Sequence, residues 1–377
     1  MALTDFASLS NARKQVWSAM IWRAGRDTSF YLNASNGFLS SGTSDSGKPI
    51  HFVKELTESE RGAKCIMHLT QDLGEDGVVD DEDLDGNEEA IAADDIEINL
   101  SQLRHAVKNR GQMSEQRTVI RFRAEARDKL GFWYSDRLDE LFFLTGAGMA
   151  YSLKLDNAAR AGTSQWPNLA FAGDVAAPTS NRIAYAGTAT STATLAASEK
   201  MTWNLLVKIK TIAMVRRIKP IKYQGRDTYC VVMSPEQARD LRMDSDYRTI
   251  VAQAGNRGDK NPLFTGAFAQ VEGLALFEHN KVPTTKGLAS GSKWGVGGLI
   301  EGAQAVLHGA QSLGFARIGN GAWVEGDKTD YENRVSVGYR MMFGMVKPQF
   351  KSIYDKSAGA ATLQDFSTIV VRTAAAE

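Results

Sequence analysis

Apolar residues recur at three- and four-residue steps between Ser114 and Thr145, where Val119, Phe122, Ala126, Leu130, Trp133, Tyr134, Leu138 and Leu141 form one stripe. That spacing predicts a helix with a single buried face. Ser114 is the expected N-cap, Glu115 sits in the positive first turn, and Gly146 and Gly148 follow the last turn. If continuous, the helix is about 48 Å long at about 1.5 Å per residue. Gly131 marks a bend, at a cost of about 1 kcal/mol relative to alanine. A second helix is predicted from Ser198 to Arg217, with Leu205, Leu206, Ile209 and Ile212 on one side and Pro220 stopping it. Leu299 to Leu307 also reads as helical.

Short apolar runs bounded by turn residues predict strands at Ile50 to Leu56, Ala63 to Leu69, Tyr229 to Met233, Leu274 to Phe277, Val335 to Met342 and Thr368 to Val371. The run at Tyr229 leads into Ser234-Pro235-Glu236-Gln237, a cap serine, a proline at the first helical position and a glutamine placed to close a capping box. Helices and strands mix without βαβ regularity, so the expected fold class is α+β. Residues 149–195 are rich in Ala, Gly, Thr and Ser without a period and read as a long loop. Residues 1–49 carry a short helical pattern at Val16 to Trp22, then dissolve into Ser, Gly, Asn and Asp, the texture of an extended arm.

The segment Ala63 to Leu100 reads as a long hairpin, its second strand carrying the alternating Ile96 and Ile98. Its middle, Asp72 to Glu97, has many acidic residues, no Lys or Arg, and glycines at 74, 77 and 86. Two strands with a charged tip cannot bury their own faces, so the hairpin is expected to lean on something else, a neighbouring subunit being the natural candidate. Immediately afterwards Arg104, Lys108, Arg110, Arg117, Arg121, Arg123, Arg127 and Lys129 outnumber the acids. The opposite signs can pair within one chain or between chains, or can be two solvated faces, since exposed pairs are worth under about 1 kcal/mol.

Over the whole chain the charge balances at 44 basic and 44 acidic residues, which disfavours a dedicated nucleic-acid module or an anionic-membrane binder. No segment approaches the roughly 20 apolar residues of a membrane span, and residues 1–23 lack the apolar core of a signal peptide. Cys65 and Cys230 lie in strand-like runs and read as two buried thiols, not a disulfide framework.

Chemical motifs fail at their decisive positions. Gly42 to Lys48 resembles the start of a phosphate-binding loop, but Pro49 stands where a magnesium-binding hydroxyl is required. Asp81, Asp83, Asp85 and Gly86 open like an EF-hand loop, but Ala92 replaces the closing glutamate. Gly295, Gly297 and Gly298 lack the third glycine of a dinucleotide fingerprint, Ile300 standing in its place. The five histidines, His51, His68, His105, His279 and His308, show no metal-ligand spacing. No nucleophile elbow occurs. No catalytic, cofactor or metal residue is therefore expected, and the two alternatives to a non-enzymatic role are a phosphate- or nucleotide-binding enzyme at Gly42 to Lys48 and a calcium-dependent module at Asp81 to Gly86.

The order of parts resembles a known family. The acidic hairpin ending in Leu84-Asp85-Gly86-Asn87-Glu88-Glu89, then His105-Ala106-Val107, the long helix carrying Leu138-Asp139-Glu140-Leu141-Phe142-Phe143, Val232-Met233-Ser234-Pro235-Glu236-Gln237, Asn261-Pro262-Leu263-Phe264-Thr265-Gly266 and Glu278-His279-Asn280 are together similar to tailed-bacteriophage major capsid proteins. The resemblance spans about Ile50 to Val371 and implies the Hong Kong 97-type capsid fold. It implies an N-terminal arm at 1–49, a strand region and extended E-loop at 50–100, a peripheral P-domain with a spine helix at 101–194, an axial A-domain at 195–334, and a return to the P-domain at 335–377.

It further implies a self-assembling shell subunit forming the hexamers and pentamers of an icosahedral capsid around double-stranded DNA. The protein itself is then the principal partner, decoration, scaffold and portal proteins are further ones, and contact with DNA is non-specific. The implied location is the virion capsid, assembled in the bacterial host cytoplasm, with no membrane partner. Joined to the charge contrast, the resemblance makes Asp80, Asp81, Asp83, Asp85, Glu88 and Glu89 candidate interface residues, with Arg117, Arg121, Arg123 and Arg127 as candidate counter-charges. Some shells of this fold carry Lys–Asn cross-links, and nothing here identifies such a pair.

Overall fold

A computed structural model describes residues 29–33, 36–40, 47–53, 62–70, 77–80, 83, 85–86, 88, 93–117, 122–223, 226–254, 269–326, 330–331, 333–351 and 363–375. Among them the strands form a four-stranded sheet, a seven-stranded sheet and two two-stranded ribbons, with helices between and outside the sheets. The α+β expectation holds.

The four-stranded sheet runs in the order Ile50–Val53, Leu313–Glu325, Ser336–Val346, Ser101–Lys108. Its central pair is antiparallel, with an irregularity between Ile318 and Ala322. There Gly321 has φ +79° and lies under Tyr339, whose hydroxyl would stand 2.3 Å from any Cβ. Alternation along Ser336–Val346 sends Val337, Tyr339, Met341, Phe343 and Met345 to one buried face. The long helix, Phe122–Ala147, packs on that face, with Tyr134 edge-on to Tyr339 at 5.4 Å and Phe142 against Phe315 at 5.3 Å.

The helix departs from its sequence reading at both ends. Ser114 lies inside a separate short helix, Gln112–Gln116, instead of capping the long one. The long helix runs on through Gly146 to Ala147, and Gly148 at φ +68° follows it. Gly131 is a buried residue within the continuous helix. The single stripe holds for Ala126, Leu130, Tyr134 and Leu138, but every residue from Leu138 to Ala147 is buried. A helix buried all round needs cover on both sides, and the seven-stranded sheet supplies the second. At Gly146 an added Cβ would come within 3.4 Å of His308, on a strand of that sheet.

The seven-stranded sheet has the order Ile183–Tyr185, Thr368–Ala374, Gly302–His308, Arg226–Met233, Leu274–Glu278, Ala269–Val271, with Ile221–Tyr223 beside Arg226–Met233. Leu299 to Leu307 is thus not a helix: Gly302–His308 is a fully buried central strand between Thr368–Ala374 and Arg226–Met233. A strand buried on both faces loses its polar–apolar alternation, and Gly302–His308, with Gln304 and His308 as buried as its apolar residues, has no period of two to read. The predicted second helix is shorter, Trp203–Val215, capped by Thr202, whose hydroxyl accepts from Leu205 N. Its Leu205, Leu206 and Ile209 join Val231, Leu276, Leu307 and Val371 in a second core.

The capping box forms as expected: Ser234 Oγ accepts from Gln237 N, and Gln237 Oε1 accepts from Ser234 N. Gln237 Nε2 also donates to Ala303 O and Thr373 Oγ1, which ties the helix Pro235–Met243 to two central strands.

Residues 149–195 are irregular, as expected, apart from three 3₁₀ turns and the strand Ile183–Tyr185. They are nonetheless packed, with Tyr151 and Phe171 buried in the main core. In the segment expected to be an arm, Tyr31, Leu32 and Phe38 are likewise core residues. Asp139 on the long helix holds this stretch, accepting from Ser29 Oγ at 2.6 Å, Phe30 N at 2.9 Å and Tyr31 N at 3.3 Å.

The chain crosses repeatedly between sheets. Leu313–Glu325 pairs with Ser336–Val346, while Thr368–Ala374 pairs with Gly302–His308. Where the sheets meet, Lys347 Nζ lies 3.0 Å from Asp365 Oδ2, both side chains fully buried. Gln349 Nε2 donates to Asp365 Oδ1, and the buried Arg182 donates to Asp365 O. Burial pushes the Lys347 ammonium below its ordinary value, and Asp365 acts against that shift.

Candidate intersubunit surface

The hairpin pairs Lys64–Thr70 with Ala93–Asn99, from Lys64 opposite Asn99 to Thr70 opposite Ala93. Alternation puts Cys65, Met67 and Ile98 on its inner face, buried with Val53, Ala316 and Val346. Lys64 and Glu97 form an ion pair on the outer face. The root thus leans on its own chain, against the face of the four-stranded sheet that the long helix leaves free. Two glycines permit the contact. At Gly344 an added Cβ would stand 2.3 Å from Asn99 O and 2.9 Å from Ile98, and at Gly314 one would meet Ile98 and Met67 at 3.2 and 3.3 Å. Asn99 Nδ2 pins the root further by donating to both carboxylate oxygens of Asp174.

The tip is different. Asp80, Asp83, Asp85 and Glu88 are all exposed, as is Val79, whereas Asp81 and Glu89 lie outside the described residues. Asp83 Oδ1 accepts from Asp85 N and Glu88 Oε2 from Gly86 N, local turns within the exposed tip. Of the candidate counter-charges, Arg117 is exposed beyond the short helix and Arg121 lies outside the described residues. Arg123 stands 3.9 Å from Glu325 and Arg127 2.8 Å from Asp128, so both face acids of their own chain. Among the described residues no ion pair joins the tip to these arginines.

Beyond the hairpin root the sheet face carries exposed residues. Arg104 and Lys108 on one strand and Arg340 on the next project from it, with Arg340 directly opposite Arg104. Arg104 and Lys108 belong to the basic run read from the sequence. Arg340 was missed, although its place between Gly338 and Met342 in a strand-like run put it on one face with them.

The competing motifs find no site. Residues 42–46 and Asp81 lie outside the described residues. Lys48 leads into the strand Ile50–Val53, not into the helix a phosphate loop requires. Gly291 O would stand 2.3 Å from a Cβ at Gly298, so the Gly295 to Gly298 cluster makes a close backbone contact. Among the described residues no group of three or more His, Cys, Asp or Glu could hold a metal ion, and no helix is long and apolar enough to cross a membrane. Cys65 and Cys230 remain thiols and are not joined in a disulfide, and burial pushes the Cys230 thiol up to about 12.

The model of a family described as phage capsid protein matches residues 6–377. The major capsid protein of Pseudomonas phage KPP25 is 39% identical over 380 residues, 99% of this chain and 98% of that one. Among solved structures, the capsid of Ralstonia phage GP4 superposes with a TM-score of 0.73 at 25% identity over 90% of both chains. The Cyanophage Pam1 capsid asymmetric unit gives 0.67 at 17% identity over 90% of this chain and 91% of that one.

Proposed function

This chain belongs to the phage capsid protein family and is a major capsid protein with the Hong Kong 97-type fold, and from that premise we propose that its acidic hairpin locks neighbouring copies together in the shell. The observation carrying this reading is the split character of the hairpin: a root buried on its own sheet and a charged tip in water. A two-stranded element with such a tip gains little by folding alone. Across a closed shell each copy is held by several contacts at once, so modest pairwise energies combine through effective concentration.

In this reading copies form hexamers and pentamers of an icosahedral shell that encloses double-stranded DNA. The four-stranded sheet and long helix make the peripheral domain, and the seven-stranded sheet with its helices makes the axial one. Residues 1–49 serve as the arm, anchored in the main core by Tyr31, Leu32 and Phe38. Balanced charge makes contact with DNA loose and non-specific. Assembly takes place in the host cytoplasm, with portal, scaffold and decoration proteins as further partners.

The test is to neutralise Asp80, Asp81, Asp83, Asp85, Glu88 and Glu89 together, as Asn and Gln, and to count assembled particles by sedimentation across a salt series. The expected outcome is fewer particles than the parent chain forms and a flatter salt dependence. Normal particle numbers with unchanged salt sensitivity overturn the docking role.

A further inference from the structure

The helix Trp203–Val215 is apolar on two faces. Leu205, Leu206, Ile209 and Ala213 bury one of them in the second core. On the other, Val207, Thr211, Met214 and Val215 recur at i, i+4, i+7 and i+8, the spacing of a contact stripe. All four are exposed, Met214 by 60% and Val215 by 76%. Thr211 Oγ1 donates back to Val207 O at 3.0 Å, so its hydroxyl is spent within the helix. A helix apolar all round needs cover on both sides, and among the described residues only the core side of this one is covered.

The charge of this region is one-sided as well. From Met201 to Tyr223 the chain carries Lys208, Lys210, Arg216, Arg217, Lys219 and Lys222 and no acid. At about 100° per residue, Lys208 falls on one flank of the exposed stripe and Lys210 on the other. Lys208 Nζ donates to Tyr185 O at 3.3 Å, and Lys210 Nζ lies 3.5 Å from Glu272.

We propose that this outer face is a docking site for a partner other than this chain, and that the partner presents an amphipathic helix with acidic flanks. The proposal goes beyond the hairpin contact and does not depend on it. Charge selects the sign of the partner. Two copies of this helix in a symmetric contact would set Lys208 and Lys210 against like charges, whereas Glu or Asp beside a partner's apolar stripe would face cations on both flanks. The stripe selects the shape. Val207 to Val215 spans about 12 Å, which two to three turns of a facing helix cover. A nucleic-acid phosphate would satisfy the lysines but would leave Met214 and Val215 in water.

The test titrates the full, unassembled chain with a labelled synthetic peptide of Leu and Glu, about 14 residues long so that a helix can form, with its leucines at i, i+3, i+4 and i+7. This peptide is expected to bind at least about tenfold more tightly than one of the same composition with scattered leucines, or than a Leu and Lys counterpart. M214S/V215S is expected to weaken binding at least about tenfold without moving the melting temperature, because both side chains lie at the surface. K208E/K210E is expected to turn the preference toward the Leu and Lys peptide. Absence of binding, equal binding of the scattered peptide, or full binding by M214S/V215S overturns the proposal. Duplex DNA that displaces the peptide and binds M214S/V215S equally well assigns the face to nucleic acid and overturns it too. If M214S/V215S instead raises the concentration at which the chain assembles alone at least about tenfold, the face belongs to a second copy, and the proposal falls while the hairpin reading stands.

Discussion

Tyr31, His308, Ser312 and Pro49 form a buried chain whose direction fixes the protonation of its histidine. Ser312 Oγ donates to Pro49 O at 3.0 Å, so it accepts from His308 Nδ1, also at 3.0 Å. His308 Nε2 is then left to accept from the Tyr31 hydroxyl at 3.1 Å. A neutral imidazole satisfies every member, whereas an imidazolium would turn the Tyr31 hydroxyl into an acceptor and oblige its proton to find another acceptor in a fully buried site. Burial accordingly pushes the His308 value down to about 3. A folded value below the unfolded one means that the unfolded chain binds more protons, so stability is lost as pH falls from 6.5 toward about 3. By about pH 5 the loss amounts to about 2 kcal/mol. His279, pushed down to about 4 by burial first and by Lys281 second, adds in the same direction. Asp139 acts oppositely, because burial raises its carboxyl value despite the hydrogen bonds from Ser29 and Phe30. Thermal unfolding of unassembled protein between neutral pH and about pH 5 is expected to show the net fall, and H308Q to flatten it. Equal slopes for the two proteins would remove His308 from the account.

At the scale of elements, legibility followed local signals. The long helix was read because its first half buries one stripe, and the helix from Pro235 because Ser234 and Gln237 form a box within four residues. Gly302–His308 was misread because its burial on both faces is a property of the sheet, not of the segment. The hairpin was read from its acids and its alternating Ile96 and Ile98, but its support at the root comes from Gly314 and Gly344, more than 200 residues later, and no local pattern announces that. This contact yields an element-scale prediction. G344V places carbon against the Asn99 carbonyl, a backbone atom that cannot give way cheaply, and is expected to lift the hairpin root at a cost of about 2 kcal/mol. Limited proteolysis should then cut within 64–99 while circular dichroism stays near that of the parent. A hairpin as resistant as the parent's would show that the root is not held there.

The whole molecule couples two sheets through one helix and one buried ionic cluster. Leu138 to Ala147 fill the space between the sheets, and Lys347, Asp365 and Arg182 close the junction with charges that are costly to bury and costlier to unpair. Neither feature could be read from sequence, because Lys347 and Asp365 become partners only once both sheets exist. The tip acids could be read, because composition alone sets Asp72 to Glu97 apart. The opposed pair of Arg104 and Arg340 could not, because the two become neighbours only through strand register.

The molecule is a two-sheet body with a hairpin that is buried at its root and exposed at its tip. A density map of particles assembled from the purified chain tests this most directly. The account predicts that the tip around Asp80 to Glu88 lies against an adjacent copy. A tip lying on its own copy, or protein that stays monomeric under every assembly condition, would contradict it.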